Sequence, residues 1–336
     1  MNWFAIATAF ACAAALTGGV RVLAIRTGLL DLPNDRSSHA GAVPRGGGIA
    51  VVLVTLAGLV YLWNVGLIPF HVAIGLGGAG GIIALVSWFD DRHRLSARMR
   101  LGVQAMAVLW FAAWCADPLL NLGISAGEVG VILWRVLLCV ALLWAVNLYN
   151  FMDGIDGLAG GQGVYMAALS AWLVTQTDGT SGFGTLLAIL AAASAGFLVW
   201  NVSPARIFLG DVGSCFLGFM LAATLILISA TAAIPLATWA IVSGVFLVDA
   251  TFTLVLRIVR REHLTVAHRS HLYQRLAIAW GSHRRVTVLY LAVNVIWLAP
   301  LAAWSAFSPD LAIWIAVLAL SPLVLIGLKL SAPGQP

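Results

Sequence analysis

Five polar segments interrupt an otherwise apolar chain, and the one from 147 to 158 carries the side chains best suited to chemistry. It contains two Asn and two Asp, each pair spaced by three residues: Asn147, Asn150, Asp153 and Asp156. Amide and carboxylate oxygens are the ligands that a hard cation such as Mg²⁺ selects. Gly154 and Gly157 in this segment, with Gly160 and Gly161 just after it, allow a close approach of backbone or ligand. The segment predicts a ligand or metal site, and a polar seam between helices without a ligand is the alternative.

Two further segments place carboxylates at the ends of apolar runs. Asp90 and Asp91 close one run, where adjacent acids repel each other and meet an unfavourable helix dipole, so a cation or a substrate proton is the expected partner. A solvated helix end capped by basic neighbours is the alternative. Asp211 opens another run between two glycines. It can cap its own helix, or it can bring a metal-binding carboxylate beside a phosphate-binding helix N-terminus.

The remaining two segments are basic. Within 257–285, His268 and His271 share one helical face and Arg269 lies between them. Imidazole and guanidinium groups suit a pyrophosphate or a nucleotide, and two His residues without a third ligand do not predict zinc. The loop 33–48 contains Arg36, His39 and Arg45 and runs into a glycine-rich helix start.

Composition indicates what must position these segments. The chain is 62% hydrophobic and 9% charged, whereas soluble domains are typically ~25% charged. Apolar runs of about 20 residues, each sufficient to cross about 30 Å of hydrocarbon as a helix, predict eleven spans. We therefore expect a single all-α integral membrane domain over 1–336, a polytopic helix bundle. Its predicted spans are 3–25, 47–64, 68–89, 99–116, 129–149, 158–175, 181–200, 212–230, 233–256, 286–306 and 310–329.

Charge distribution predicts the orientation of the bundle. If the eleven spans alternate, all of the 18 Lys and Arg residues except Arg135 lie on one side, which the positive-inside rule makes cytoplasmic. Arg135 lies early in a span, within snorkelling reach of the outer interface. We expect an uncleaved first helix, a periplasmic N-terminus, a cytoplasmic C-terminus and all five polar segments on the cytoplasmic face. The net charge of +5 then reflects topology, and no nucleic-acid binding is expected.

In their order along the chain, the five segments resemble those of the polyprenyl-phosphate N-acetylhexosamine-1-phosphate transferase family. The resemblance rests on the Asp pair, the NLYNFMDGIDGL block, the FLGDVGS turn, the His-containing basic loop and the PNDRSSH…PRGGG loop. It implies an enzyme of the bacterial inner membrane that joins undecaprenyl phosphate to the sugar 1-phosphate of a UDP-N-acetylhexosamine and releases UMP. It also implies a requirement for Mg²⁺, with Mn²⁺ as a substitute, and we consider a homodimer as its assembly.

The resemblance also assigns roles to residues. Asn150 and Asp211 match metal-coordinating positions. Four carboxylates are implied to be catalytic: Asp90 and Asp91 near the lipid phosphate, and Asp153 and Asp156 on the nucleotide side. Substrate binding is assigned to Arg36, His39, Arg45, Asn147, His268, Arg269 and His271.

Direct attack by the lipid phosphate is the preferred mechanism, because a phosphate monoester is largely dianionic at pH 7. Mg²⁺ and Arg or His donors would neutralise the developing charge, and Asp90 would position or deprotonate the phosphate. A covalent phosphoryl-Asp intermediate remains the alternative.

The subfamily is less sharply indicated. The RSSH, PRGGG and AHRSHLYQRL stretches resemble transferases that initiate O-antigen or related surface polysaccharides with 6-deoxy sugars such as N-acetylfucosamine or N-acetylquinovosamine, with N-acetylglucosamine as the other candidate. The peptidoglycan enzyme that transfers phospho-N-acetylmuramoyl-pentapeptide typically has consecutive His residues where AHRSH stands here. From other classes, a secondary transporter would place its site at the bilayer midplane between inverted repeats. An intramembrane prenyltransferase would lack both the His/Arg loop and the GDVGS turn.

Overall fold

The computed structural model describes residues 2–31, 41–93, 95–116, 128–176, 181–231, 234–262 and 269–330, and these are almost entirely helical. Each of the eleven apolar runs coincides with helix. The helices are α1 Trp3–Thr27, α2 Gly48–Asn64, α3 Phe70–His93, α4 Ala97–Trp114, α5 Glu128–Phe151, α6 Leu158–Thr175, α7 Ser181–Asn201, α8 Gly210–Thr231, α9 Leu236–Val242, α10 Gly244–Val259, α11 Leu272–Trp280, α12 His283–Ala292, α13 Ala299–Phe307 and α14 Ala312–Leu330. A π-helical turn, Val293–Leu298, joins α12 to α13, and a 3₁₀ turn, Pro309–Leu311, precedes α14.

Seven helical stretches of the described residues are long and apolar enough to cross a membrane. They are Trp3–Thr27, Phe70–His93, Val129–Phe151, Gly182–Asn201, Gly210–Thr231, His283–Phe307 and Pro309–Leu330. Helices α9 and α10 together form an eighth candidate that bends by 84°, and α2 is a shorter apolar helix. The all-α polytopic membrane fold is therefore confirmed, while the number of eleven spans stays a prediction.

Helix α8 forms the centre of the bundle. Of its most apolar stretch, 89% is buried, compared with 17% for α1 and for α5. It packs against α2, α3 and α5, so the residues at its N-terminus are surrounded by the ends of other helices. The peripheral helices direct large apolar side chains outward, among them Ile132 and Leu133 of α5, as a lipid-facing surface requires.

Glycines bring the beginnings of α2 and α8 into direct backbone contact. The N–H of Gly47 donates to the carbonyl of Phe208, and that of Gly48 donates to Leu209, both at 2.9 Å. A Cβ on Gly48 would overlap the Cα of Gly213. The glycine run that follows Arg45 is thus required for packing, because a side chain would separate the two helix ends.

A two-residue ladder extends the same connection. Strand β1, Leu30–Asp31, pairs antiparallel with β2, Val43–Pro44, and the N–H of Phe208 donates to the carbonyl of Pro44 at 2.8 Å. Arg45 is therefore fixed between the end of α1 and the start of α8.

Candidate active site at one end of the bundle

The second acid of the Asp pair caps a different helix. Asp91, in the last turn of α3, accepts hydrogen bonds from the backbone N–H groups of Asp211 at 3.4 Å and Val212 at 3.5 Å, in the first turn of α8. Gly210 adopts a φ of +75°, and a Cβ there would lie 2.9 Å from a carboxylate oxygen of Asp91. The unpaired N–H groups and the dipole of α8 stabilise the Asp91 charge. Since Asp91 supplies the cap, the carboxylate of Asp211 is available for other contacts.

The two predicted metal ligands are in contact. The Asn150 side-chain amide donates to Oδ1 of Asp211 at 2.9 Å and to Oγ of Ser214 at 3.0 Å. Rotation of that amide by 180° would present its oxygen to the same position. Helices α5 and α8 thereby bring together residues 61 positions apart in sequence.

The donor set fits Mg²⁺ with an incomplete protein shell. Within the described ranges, no three His, Cys, Asp or Glu residues are placed to hold one metal ion. Mg²⁺ is usually bound by one or two carboxylates, several waters and substrate phosphate oxygens. Asp211, the amide oxygen of Asn150 and the adjacent Asp91 supply hard oxygens of this type.

Two arginines lie among the carboxylates. Arg100 of α4 contacts Asp90 at 2.6 Å and Asp211 at 3.7 Å, and Arg45 lies 3.9 Å from Asp91. Asp90 is buried, and its other oxygen accepts from the backbone N–H of Leu95 at 2.6 Å. The first acid of the pair is thus held at the turn between α3 and α4. From the sequence, Arg100 is one of the basic residues that indicate orientation, and it is not singled out as a site residue.

Asp153 and Asp156 lie in unlike environments in the link between α5 and α6. Burial, followed by the negative charges of Asp211 and Asp91, raises the pKa of Asp153 to about 8, against the opposing charge of Arg45. Burial would also raise the pKa of Asp156, but hydrogen bonds from His283 and the Ala205 N–H outweigh it. They hold that pKa below the ordinary value of 3.8. Asp153 therefore belongs electrostatically to the Asp211 cluster, whereas Asp156 belongs to a second group of residues.

That second group lines a cavity of about 630 Å³, a volume within the range of small-molecule and cofactor sites. Asp156 lies 3.3 Å from Nδ1 of His283 and accepts from the N–H of Ala205 at 3.2 Å. Phe208 and Arg269 also line the cavity. Because Phe208 comes three residues before Asp211, the cavity adjoins the carboxylate cluster along the chain.

His271 lies next to an acid that sequence reasoning missed. Its Nδ1 is 3.5 Å from Oδ1 of Asp249, a buried residue of α10. Asp249 accepts from the backbone N–H groups of Leu272 at 2.8 Å and Tyr273 at 3.0 Å, and from the Tyr290 hydroxyl at 2.7 Å. An acid in the middle of an apolar run is itself a signal of function, and it could have singled out Asp249.

The other substrate-binding predictions fall into two groups. Asn147 donates to Oε1 of Gln104 at 2.9 Å and to the carbonyl of Leu143 at 2.8 Å, in the seam between α4 and α5. Arg36, His39 and His268 lie outside the described residues. The structure thus places one group of residues together in a cluster, and the cavity residues and Asn147 lie outside that cluster. The cluster comprises Asp90, Asp91, Asn150, Asp153, Asp211, Arg45 and Arg100.

Comparison with known proteins gives a consistent set of relatives. The model of glycosyl transferase family 4 matches residues 73–229, a range that includes the Asp cluster but not the basic loop after α10. A probable undecaprenyl-phosphate N-acetylglucosaminyl 1-phosphate transferase of Bacillus subtilis is 30% identical over 288 residues, which cover 82% of this chain and 77% of that protein. A decaprenyl-phosphate N-acetylglucosaminephosphotransferase of Mycolicibacterium smegmatis is 36% identical, over 83% of this chain and 76% of that protein. The undecaprenyl-phosphate alpha-N-acetylglucosaminyl 1-phosphate transferase of Escherichia coli K12 is 30% identical over 59% of this chain and 55% of that protein.

Proposed function

This chain belongs to glycosyl transferase family 4, within its polyprenyl-phosphate N-acetylhexosamine-1-phosphate transferases, and we propose that it is a phosphotransferase that makes undecaprenyl-diphospho-sugar. The donor is a UDP-N-acetylhexosamine and the second product is UMP. An oxygen of the lipid phosphate forms a bond to the sugar-bearing phosphorus. The bond from that phosphorus to the bridging oxygen breaks, and UMP leaves with the electron pair.

The observation that carries the proposal is the contact between Asn150 and Asp211 at the start of α8, with Asp91 hydrogen-bonded to the same helix turn. Phosphoryl transfer requires in-line positioning and neutralisation of charge on the phosphate oxygens. A Mg²⁺ held by Asp211 and Asn150 would supply a Lewis acid for the diphosphate. Arg45 and Arg100 add two fixed positive charges at the same helix ends.

Arg100 lies between Asp90, which is assigned to the lipid phosphate, and Asp211, which is assigned to the metal. Its guanidinium contacts Asp90 and lies 3.7 Å from Asp211. A dianionic phosphate entering beside Asp90 would compete for this guanidinium, since Arg binds phosphate in a bidentate manner. Asp90 then acts by positioning Arg100 and the lipid phosphate, or by taking a proton from a monoanionic phosphate. Trapping a phosphorylated Asp during turnover would support the covalent alternative instead.

We place the UDP-sugar in the cavity beside Asp156 and Arg269. The cavity combines a guanidinium, an aromatic ring and hydrogen-bonding groups, which together suit a nucleotide with its diphosphate. Phe208, which lines the cavity, comes three residues before Asp211 of the carboxylate cluster. A diphosphate extending from the cavity toward Asp211 would bring the reacting phosphorus to the metal position.

Our proposals for the sugar and the pathway rest on the resemblance of the RSSH, PRGGG and AHRSHLYQRL stretches, and the proposed membrane rests on the resemblance to the family as a whole. We propose N-acetylglucosamine or a 6-deoxy-N-acetylhexosamine such as N-acetylfucosamine or N-acetylquinovosamine as the transferred sugar, for O-antigen or a related surface polysaccharide. The proposed location is the bacterial inner membrane, with the active site cytoplasmic and the N-terminus periplasmic. The curated relatives act, by name, on undecaprenyl or decaprenyl phosphate with N-acetylglucosamine.

The test uses purified full-length protein in lipid nanodiscs with undecaprenyl phosphate. The donors are UDP-N-acetylglucosamine, UDP-N-acetylquinovosamine, UDP-N-acetylfucosamine and UDP-N-acetylmuramoyl-pentapeptide, each assayed separately. Mass spectrometry of the lipid product and quantification of UMP should show equimolar formation with one of the first three donors. EDTA should abolish turnover and Mg²⁺ should restore it. Turnover with the pentapeptide donor alone would identify the protein as a transferase of peptidoglycan synthesis. Absence of UMP release with every donor would refute the proposal.

A further inference from the structure

Arg135 is a cation in an apolar part of the bundle, far from the candidate active site. It lies seven residues after the start of α5, about 10 Å along the helix. It is twelve residues, about 18 Å, from Asn147 near the other end. Its side chain is partly buried, and its Nε is a buried atom without a hydrogen-bond partner among the described residues. A charged residue within a membrane-spanning helix is costly and needs a partner.

Arg135 projects into a groove between α4 and α5 with a volume of about 620 Å³. It is the single charged side chain among the lining residues that the structure describes, and the others are apolar. Small residues create the space, among them Ala105, Ala112 and Ala113 of α4. On the rims, Leu109 is 60% exposed and Val136 is 56% exposed. The groove therefore opens toward the surrounding lipid and not toward the protein core.

Aromatic residues place the Arg135 end of the groove near a membrane interface. Trp114 ends α4, and its ring lies 6.0 Å from that of Trp110 and 6.1 Å from that of Phe70 at the start of α3. The Phe70 ring lies 5.5 Å from that of Trp63 at the end of α2. Trp residues concentrate at the level of the lipid headgroups. A helical side chain leans toward its helix N-terminus, so Arg135 extends from the hydrocarbon toward this level.

We propose that the groove between α4 and α5 binds one anionic phospholipid, with its phosphate on Arg135 and an acyl chain along the alanine-lined wall. Charge complementarity selects the occupant, because the groove offers one cation in an apolar channel that opens to the bilayer. A charge-assisted hydrogen bond to the phosphate would satisfy the guanidinium. This lipid is separate from the proposed acceptor, whose phosphate must reach Asp91 and Asp211 at the opposite end of α4 and α5.

The experiment is native mass spectrometry of the full-length protein, titrated in detergent with phosphatidylglycerol or phosphatidylcholine. We expect one phosphatidylglycerol to bind at least about tenfold more tightly than phosphatidylcholine. Arg135→Gln should weaken the binding of phosphatidylglycerol by about tenfold, the effect of losing one charge-assisted contact. Arg135→Lys should retain most of it. Arg98→Gln removes the same charge from an exposed position of α4 outside the groove and should leave binding unchanged.

A second variant keeps the test decisive if Arg135→Gln does not fold. Ala113→Leu fills the groove and leaves the charge in place, so it should also reduce phosphatidylglycerol retention. Equal retention by the wild type and the folded Arg135→Gln or Ala113→Leu protein would overturn the proposal. Loss of a dimer mass in Arg135→Gln, with the same phosphatidylglycerol count per chain, would show that a second copy of the chain occupies the groove and would also overturn it.

Discussion

The Asp249 carboxylate attaches the basic loop to the membrane bundle, and replacing it with Asn should detach that loop. Asp249 is 4% exposed and lies in α10. It accepts both backbone N–H groups at the start of α11 and the hydroxyl of Tyr290 on α12. Arg269 and His271 immediately precede these N–H groups. The position of Arg269 at the cavity therefore depends in part on this buried carboxylate.

These contacts determine how much stability Asp249→Asn should remove. A hydrogen bond to a charged group contributes about 1.5–3 kcal/mol, and a neutral one contributes about 0.5–1.5 kcal/mol. Asp249→Asn removes the negative charge that accepts three short hydrogen bonds. The NH₂ group of the Asn side chain would also face at least one of the three donors, with which it cannot form a hydrogen bond. The expected loss is about 3–5 kcal/mol, the range for disrupting a buried charged network. Most of this loss should appear as local opening of residues 269–280, because α10 itself remains packed against α14.

The assay measures hydrogen exchange and steady-state kinetics on the same preparation. In Asp249→Asn, the amides of Leu272–Trp280 should lose protection, and KM for the UDP-sugar should rise by at least about tenfold. KM for undecaprenyl phosphate should change little, because Asp90 and Arg100 lie on α3 and α4. Tyr290→Phe, which removes one of the three bonds, should give a smaller change in the same direction. Unchanged protection in α11 and an unchanged KM for the UDP-sugar would refute this role of Asp249.

Three further outcomes are expected. Asp211→Asn, which weakens the proposed metal site, should lower kcat by about 10³-fold or more, and near-normal turnover at wild-type expression would exclude Asp211 as a ligand. Because the pKa of Asp156 is lowered in the folded protein, its ionised form contributes stability above pH 3.8 that is lost as the pH falls through the lower, folded pKa. Asp156→Asn should therefore flatten the fall in Tm below about pH 4, and an unaltered pH profile of Tm would argue against this linkage. In a Cys-free background, Cys at Ser203 should be protected from an impermeant thiol reagent in intact cells and Cys at Ser308 should react, whereas the reverse labelling would contradict the predicted orientation.

The sequence predicts the elements well, because hydrophobic length is a local property. Each of the eleven apolar runs is helical in the structure, and the alternation of spans correctly groups Asp91, Asn150 and Asp211 at one end. The family resemblance assigns Asn150 and Asp211 to one site, and the two side chains are in contact in the structure. The assignment of helices and of their ends needs no knowledge of which helices are neighbours.

The pairing of groups within the site depends on tertiary packing and could not be predicted in the same way. Whether Asp211 caps its own helix depends on whether another acid reaches the α8 N-terminus, and Asp91 does so only because α3 packs against α8. The role of Gln104 as the partner of Asn147 likewise requires α4 to lie beside α5. Neither relation leaves a periodic or compositional pattern in the sequence.

The balance of charge in the cluster supplies a physical argument for the divalent cation in the proposed reaction. Asp153, whose pKa is raised to about 8, is largely protonated at neutral pH. The carboxylates of Asp90, Asp91 and Asp211 are accompanied by Arg45 and Arg100, so acids still outnumber bases among the described residues of the cluster. The interaction of two charges at close range is several-fold stronger in a partly buried site than in water. A dianionic lipid phosphate and a diphosphate would therefore be repelled if the protein charges were the only ones present. The observed arginines can orient the phosphates but cannot neutralise them, and the oxygen donors of Asp211 and Asn150 lie where a doubly charged cation would correct that imbalance.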